Sequence, residues 1–87
     1  MKEFYRGKKV LITGHTGFKG SWMSYLLNEL GAEVTGIALE PSTDPALFEI
    51  LNLDNEVNSK IIDIRNFNEI IKVFEEVQPE IVIHMAA

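Results

Sequence analysis

Residues 9–31 read KVLITGHTGFKGSWMSYLLNELG. Val10 to Thr13 form a short, wholly apolar run ending in a β-branched residue, which marks a strand buried on both faces. From Phe18 onward the pattern changes. Phe18, Trp22, Met23, Leu26, Leu27 and Leu30 recur at helical spacing, with Lys19, Ser21, Asn28 and Glu29 mostly opposite, and Gly31 supplies a left-handed stop. Strand and helix are joined by Gly14, His15, Thr16 and Gly17, followed by Phe18, Lys19 and Gly20. Gly14 permits a tight turn, Gly17 lets backbone N–H groups come close to a pyrophosphate, and Gly20 lets the helix pack close on the strand. The helix N-terminus then aims unpaired N–H groups and a partial positive charge at the ligand. An ATP-binding P-loop would need Gly-Lys followed by Ser or Thr. Here the order is Lys19-Gly20-Ser21, which disfavours it.

The pattern continues in both directions from this unit. Val34 to Leu39, Lys60 to Ile64 and Ile81 to Met85 read as three further strands. Asp44 and Pro45 read as the N-cap and first residue of a short helix through Ala46, Leu47, Phe48, Ile50 and Leu51. Asn66 with Glu69 suggests a capping box for a helix whose inner face is Phe67, Ile70, Ile71, Phe74 and Val77, stopped by Pro79. The order β-α-β-α-β-α-β with right-handed crossovers predicts an α/β fold, a Rossmann-type doubly wound parallel sheet with strand order 3-2-1-4. The fourth strand then lies at an edge, and its EIVIHM stretch is apolar and proline-free.

Composition narrows the chemistry. Of 87 residues, 46% are hydrophobic and 24% charged, as in an ordinary soluble domain. No apolar run is long enough to span a bilayer, and the first residues lack a secretory pattern. The absence of cysteine removes thiolate chemistry and suits the cytoplasm. A net charge of −5 argues against nucleic acid as a partner. Lys2, Arg6, Lys8, Lys9 and Lys19 nevertheless concentrate in the first twenty residues, which reads as a solvated basic terminus for Lys2 and Arg6, or else as a mildly positive end beside the glycine turn. Two histidines without cysteines make a poor metal site. His84 reads as a packing or hydrogen-bonding residue at a strand end, and His15 either as a neighbour of the diphosphate or as an exposed loop residue. Trp22 and Tyr25 read as helix packing.

The end of the second strand bears on the choice of cofactor. An acid there accepts hydrogen bonds from a ribose 2′-hydroxyl, whereas a cation would welcome a 2′-phosphate. Ala38 stands where an acid is usual, Glu40 follows two residues later, and no Lys or Arg is near. The expected cofactor is therefore NAD rather than NADP, with Glu40 either its ribose partner or a solvated loop acid. Ala86 and Ala87, closing the fourth strand, leave room for a cofactor across the strand tips.

GHTGFKGSW, the later ALEPST followed by DPALFEI, and the terminal HMAA together resemble the CDP-glucose 4,6-dehydratases, a nucleotide-sugar branch of the extended short-chain dehydrogenases/reductases. The resemblance runs along the whole chain but covers only the opening part of such an enzyme. Residues 1–87 would be the N-terminal part of the NAD-binding domain, with its remainder and the substrate domain elsewhere. The resemblance places Gly14, His15, Thr16, Gly17, Phe18, Lys19 and Gly20 in the cofactor motif, and Lys19 and Trp22 narrow it to this branch. It places Asp63, with the Ile64 backbone alongside, at the adenine amino group, a turn residue at the strand end being the other reading of Asp63. It implies a cytoplasmic homo-oligomer that binds CDP-glucose and makes CDP-4-keto-6-deoxyglucose for bacterial surface polysaccharide. The superfamily's Tyr-x-x-x-Lys pair and its acid/base carboxylate are read as lying outside these residues, so no catalytic residue is assigned. Another nucleotide-sugar dehydratase or epimerase, or a noncatalytic NAD-binding module, would share the same turn.

Overall fold

A computed structural model describes residues 2–39, 50–63 and 65–85. Glu40, Ile64, Ala86 and Ala87, and the expected helix start at Asp44 and Pro45, lie outside the described residues. The elements run α1 (Lys2–Tyr5), β1 (Lys9–Thr13), α2 (Phe18–Glu29), β2 (Glu33–Ala38), α3 (Leu53–Glu56), β3 (Asn58–Ile61), α4 (Phe67–Val77) and β4 (Ile81–His84). The four strands form one parallel sheet in the order β3-β2-β1-β4, as the crossover rule predicts.

Each face of the central strands has its own core. On one face Val10, Ile12 and Val34 pack with Leu27, Ala32, Leu53 and Val57. On the other Leu11 and Ile37 pack with Val73, backed by Ile62, Ile70 and Val77. Leu11, Ile12 and Ile37 are completely buried. Each such side chain contributes roughly 2–3 kcal/mol of hydrophobic stabilisation, which is why β1 and β2 read as continuous apolar runs.

Several expectations are corrected. The buried face of α2 is Gly20, Ser21, Ser24 and Leu27, whereas Phe18, Trp22 and Leu26 are 70%, 42% and 52% exposed. Close approach to the sheet selects small residues, and the buried hydroxyls are satisfied within the protein: Ser21 Oγ donates to the His15 carbonyl and Ser24 Oγ to the Gly20 carbonyl, both at 2.8 Å. Trp22 instead meets Tyr25 edge-on at 6.1 Å. In α4 only Val73 is fully inside, with Ile70 and Val77 beside it; Phe67, Ile71 and Phe74 face outward. β3 begins at Asn58, two residues before its apolar signal, because an edge strand can pair polar residues through backbone alone. α1 and α3, four residues each, carry no periodic pattern and were not expected.

The termini of the longer helices follow the capping rules. Gly31 sits at φ +89° just past the Leu30 C-cap of α2, and its N–H donates to the Asn28 carbonyl. Asn66 caps α4, its side-chain oxygen accepting from the Glu69 N–H, and Gln78 closes the helix in the left-handed region ahead of Pro79.

Candidate dinucleotide site

The turn from Gly14 to Gly17 stands at the carboxyl ends of the strands, where β1 separates β2 from β4. In open α/β sheets this reversal of strand order is where ligands bind. Every neighbouring strand tethers the turn. The Gly14 N–H donates to the Ile37 carbonyl of β2 at 2.8 Å, and Thr16 Oγ1 donates to the Leu39 carbonyl at 2.8 Å. His15 Nε2 and Ser59 Oγ of β3 are 2.7 Å apart. Thr13 Oγ1 and His84 Nδ1 of β4 are 2.6 Å apart, and the Met85 N–H donates to the Thr13 carbonyl. A turn held this way needs little rearrangement to accept a ligand.

The three glycines have three different reasons to be glycine. Gly14 adopts φ +82°, a region that disfavours side chains. At Gly20 a Cβ would lie 2.0 Å from the Gly14 carbonyl oxygen, so the helix could not approach. Gly17 is different. Its φ is −78°, it is exposed, and a Cβ there would meet only the Gly14 oxygen at 3.6 Å, an ordinary contact. Nothing in the described chain requires glycine at that position.

The start of α2 is equally open. No side chain caps it, and its first turn has no acidic residue but does contain exposed Lys19. A cation there works against the helix dipole by about 0.3–1 kcal/mol, and a bound anion would reverse that sign. Turn, uncapped helix and lysine together suit a diphosphate.

His15 does not face this opening. Its ring is completely buried, lying over Gly36 and reaching Ser59, the register partner of Gly36 in β3. Exposure on the loop is thus corrected: the whole residue is buried beneath the turn. Burial lowers its pKa to about 4, opposed in part by a hydrogen bond with the Ile37 backbone. The folded value lies below the unfolded one, so the unfolded chain takes up the proton first. Stability is therefore expected to be full above pH 6.5 and to fall between pH 6.5 and 4, by at most about 3 kcal/mol. Urea titrations across that interval, compared with His15→Gln, check it; equal slopes in both proteins would refute it.

Asp63 follows β3 on the same side of the sheet. Its neighbour Ile62 donates to the Ala38 carbonyl, which sets it beside the end of β2. The Arg65 guanidinium grips the carboxylate and holds its pKa at about 2. Sequence reading missed this arginine, because only a turn returns it onto Asp63.

Tyr5 and Lys9 do have the Tyr-x-x-x-Lys spacing, but the fold separates them from the turn. Tyr5 packs on the core from α1, and Lys9 opens β1 at the opposite end of the strand. A cavity of about 460 Å³ also lies at that opposite end, among Lys9, Glu33, Glu56, Asn58 and Glu76. Its carboxylates make it a poor anion site. Among the described residues no group of three His, Cys, Asp or Glu could hold a metal, and no helix is long and apolar enough to cross a membrane.

Comparison with known proteins extends the reading. The chain is 54% identical over 86 residues to a CDP-glucose 4,6-dehydratase of Salmonella typhimurium, covering 99% of this chain but 24% of that protein. The structure resembles the epimerase Mth375 of Methanothermobacter thermautotrophicus, with a TM-score of 0.73, 28% identity, and 99% and 24% of the two chains covered. This chain thus spans about a quarter of the length of either relative. The family model for GDP-mannose 4,6 dehydratase matches residues 11–87, and with that match over most of its length the chain belongs to the GDP-mannose 4,6-dehydratase family.

Proposed function

We propose that residues 1–87 form the first part of the NAD-binding domain of a nucleotide-sugar 4,6-dehydratase whose substrate is CDP-glucose. The observation that carries the reading is Gly17, a glycine that the described chain does not need and that an approaching diphosphate would. The 54% identity to a CDP-glucose 4,6-dehydratase supports the substrate. Glu40, with no cation near it in sequence, supports NAD over NADP. In this reading the backbone of residues 14–20 holds the diphosphate, Glu40 takes the ribose, Asp63 and Ile64 the adenine, and Ala86 and Ala87 leave space at the strand tips.

Bound there, NAD would supply a hydride acceptor for the sugar C4 and, once reduced, a hydride donor for C6. The chain's own contribution is to bind and orient. Catalytic groups, the rest of the domain and the substrate domain belong to the complete protein. The outer edge of β4 fits that reading, since it has no strand partner among the described residues and Val82 is half exposed. The complete enzyme would be a cytoplasmic homo-oligomer producing CDP-4-keto-6-deoxyglucose for deoxysugars of surface polysaccharide. Likeness to an epimerase favours one second reading, a nucleotide-sugar epimerase.

Two measurements on the complete protein test this. The wild type is expected to bind NAD ahead of NADP and to dehydrate CDP-glucose ahead of the GDP-, UDP- and dTDP-linked sugars. Gly17→Val is expected to weaken NAD binding by on the order of a hundredfold, as a steric conflict of about 3 kcal/mol would, while circular dichroism stays unchanged. Unchanged NAD affinity in that variant removes the dinucleotide reading. Epimerised rather than dehydrated product selects the second reading.

A further inference from the structure

In a parallel ladder the donors of one strand come at every second residue and answer every second carbonyl of its neighbour. The Gly14 N–H makes the rung on the Ile37 carbonyl at 2.8 Å, so the next rung would join the residue 16 N–H to the Leu39 carbonyl. Gly14, at φ +82°, turns the backbone out of the ladder, and a side chain closes that rung instead. Thr16 Oγ1 donates to the Leu39 carbonyl at 2.8 Å. The neighbouring backbone bonds stop short of Leu39: the Gly14 N–H reaches the Ile37 carbonyl, and the Ile62 N–H reaches the Ala38 carbonyl. The Leu39 side chain is 59% exposed, so packing does little to hold this end of the strand.

We propose that Thr16 is a positioning residue of the candidate dinucleotide site, its hydroxyl fixing the end of β2 against the diphosphate turn so that the adenosine ribose is read. The inference rests on the dinucleotide reading above and deepens it by linking two of its parts. In that reading the diphosphate belongs to the turn, and the ribose to Glu40, the residue that follows Leu39 in sequence. Once the diphosphate is seated, the ribose hydroxyls have little freedom, and their acceptor must stand within about 0.5 Å of the productive place. The bond from Thr16 to Leu39, which joins residues 23 positions apart, sets that spacing. Thr16 acts here through the Leu39 carbonyl, and its side chain touches no ligand. Valine keeps the shape and branching of threonine and removes the donor, whereas serine keeps the donor.

The test uses the complete protein and two ligands, NAD and its analogue lacking the 2′-hydroxyl of the adenosine ribose. Both carry the same diphosphate, base and nicotinamide, so a general loosening of the turn weakens them equally. Their affinity ratio therefore isolates the ribose contact. The wild type is expected to prefer NAD by about tenfold, the value of one hydrogen bond to a carboxylate. In Thr16→Val that preference is expected to shrink to about twofold or less, while Thr16→Ser keeps the wild-type ratio. A Thr16→Val ratio equal to wild type overturns the proposal, as does a Thr16→Ser protein that loses the preference too. A wild type that binds both ligands alike overturns it together with the ribose assignment, and leaves the diphosphate reading in place. Binding of neither ligand by the wild type overturns the dinucleotide reading itself, and this proposal with it.

Discussion

Alanine in place of Gly36 is expected to destabilise the protein by about 3 kcal/mol or more, the upper range for forcing extra volume into a packed interior. Gly36 lies in the middle of β2 with ordinary backbone angles, so a residue with a side chain would normally improve the strand. The obstacle is the ring of His15. A Cβ at position 36 would stand 2.2 Å from His15 Cγ and 2.5 Å from Cδ2 and Nδ1. The ring has nowhere to retreat, being completely buried and tied through Nε2 to Ser59 Oγ. Admitting the methyl group means expelling the imidazole and breaking that bond, which also pulls on the glycine turn that carries His15. A second substitution separates this cause from a general intolerance of β2. His15→Ala alone is expected to cost about 2–3 kcal/mol for the cavity and the lost bond. The double variant His15→Ala/Gly36→Ala should cost no more than the worse single one, a compensation of about 2 kcal/mol or more in a double-mutant cycle. Urea denaturation of the four proteins measures it. Additive costs would show that the ring is not what excludes a side chain from position 36.

Sequence reading recovered the strand order because periodicity and crossover handedness are backbone properties of the whole chain. Val10 to Thr13 and Val34 to Ala38 stand out since a central parallel strand must be apolar on both faces. The inward face of α2 was misread for a physical reason. Trp22, Phe18 and Leu26 dominate any hydrophobic count, yet the requirement there is proximity, and Gly20, Ser21 and Ser24 meet it through smallness. The pattern of small residues at positions 20, 21 and 24 was present to be read. In α4 the outward Phe67, Ile71 and Phe74 again outweighed Ile70, Val73 and Val77, which touch the sheet. At the candidate site the glycine spacing was legible because Gly14 and Gly20 answer demands of the turn itself. The burial of His15 was not, since it depends on Gly36 and Ser59, residues 21 and 44 positions away. Nor was the grip of Arg65 on Asp63, which only the turn geometry creates.

The second large effect is expected at Gly20, where alanine should lower stability by about 3 kcal/mol and weaken dinucleotide binding as well. Glycine within a helix normally costs about 0.5–1 kcal/mol relative to alanine, so propensity alone predicts a gain. Packing reverses the sign. The new Cβ would lie 2.0 Å from the Gly14 carbonyl oxygen, 2.8 Å from its carbon and 3.0 Å from His15 Cα. All three are backbone atoms, so no side-chain rotation relieves the conflict. Either α2 lifts off the sheet, loosening Leu27 from the Val10–Ile12 core, or the Gly14 peptide swings away. The second movement breaks the 3.2 Å bond from the Gly17 N–H to the Gly14 oxygen, and so moves the N–H groups proposed to hold the diphosphate. Gly17→Ala is the matched control. Its Cβ meets only the Gly14 oxygen at 3.6 Å, so stability should stay within about 0.5 kcal/mol of wild type while NAD affinity falls. Urea midpoints and NAD titrations on the complete protein read both axes. The two glycines are expected to separate cleanly, one failing in stability and binding, the other in binding alone. A stable Gly20→Ala protein would mean that helix and turn can part without loss, and a destabilised Gly17→Ala protein would give that glycine a purely internal reason and remove the main support for a diphosphate there.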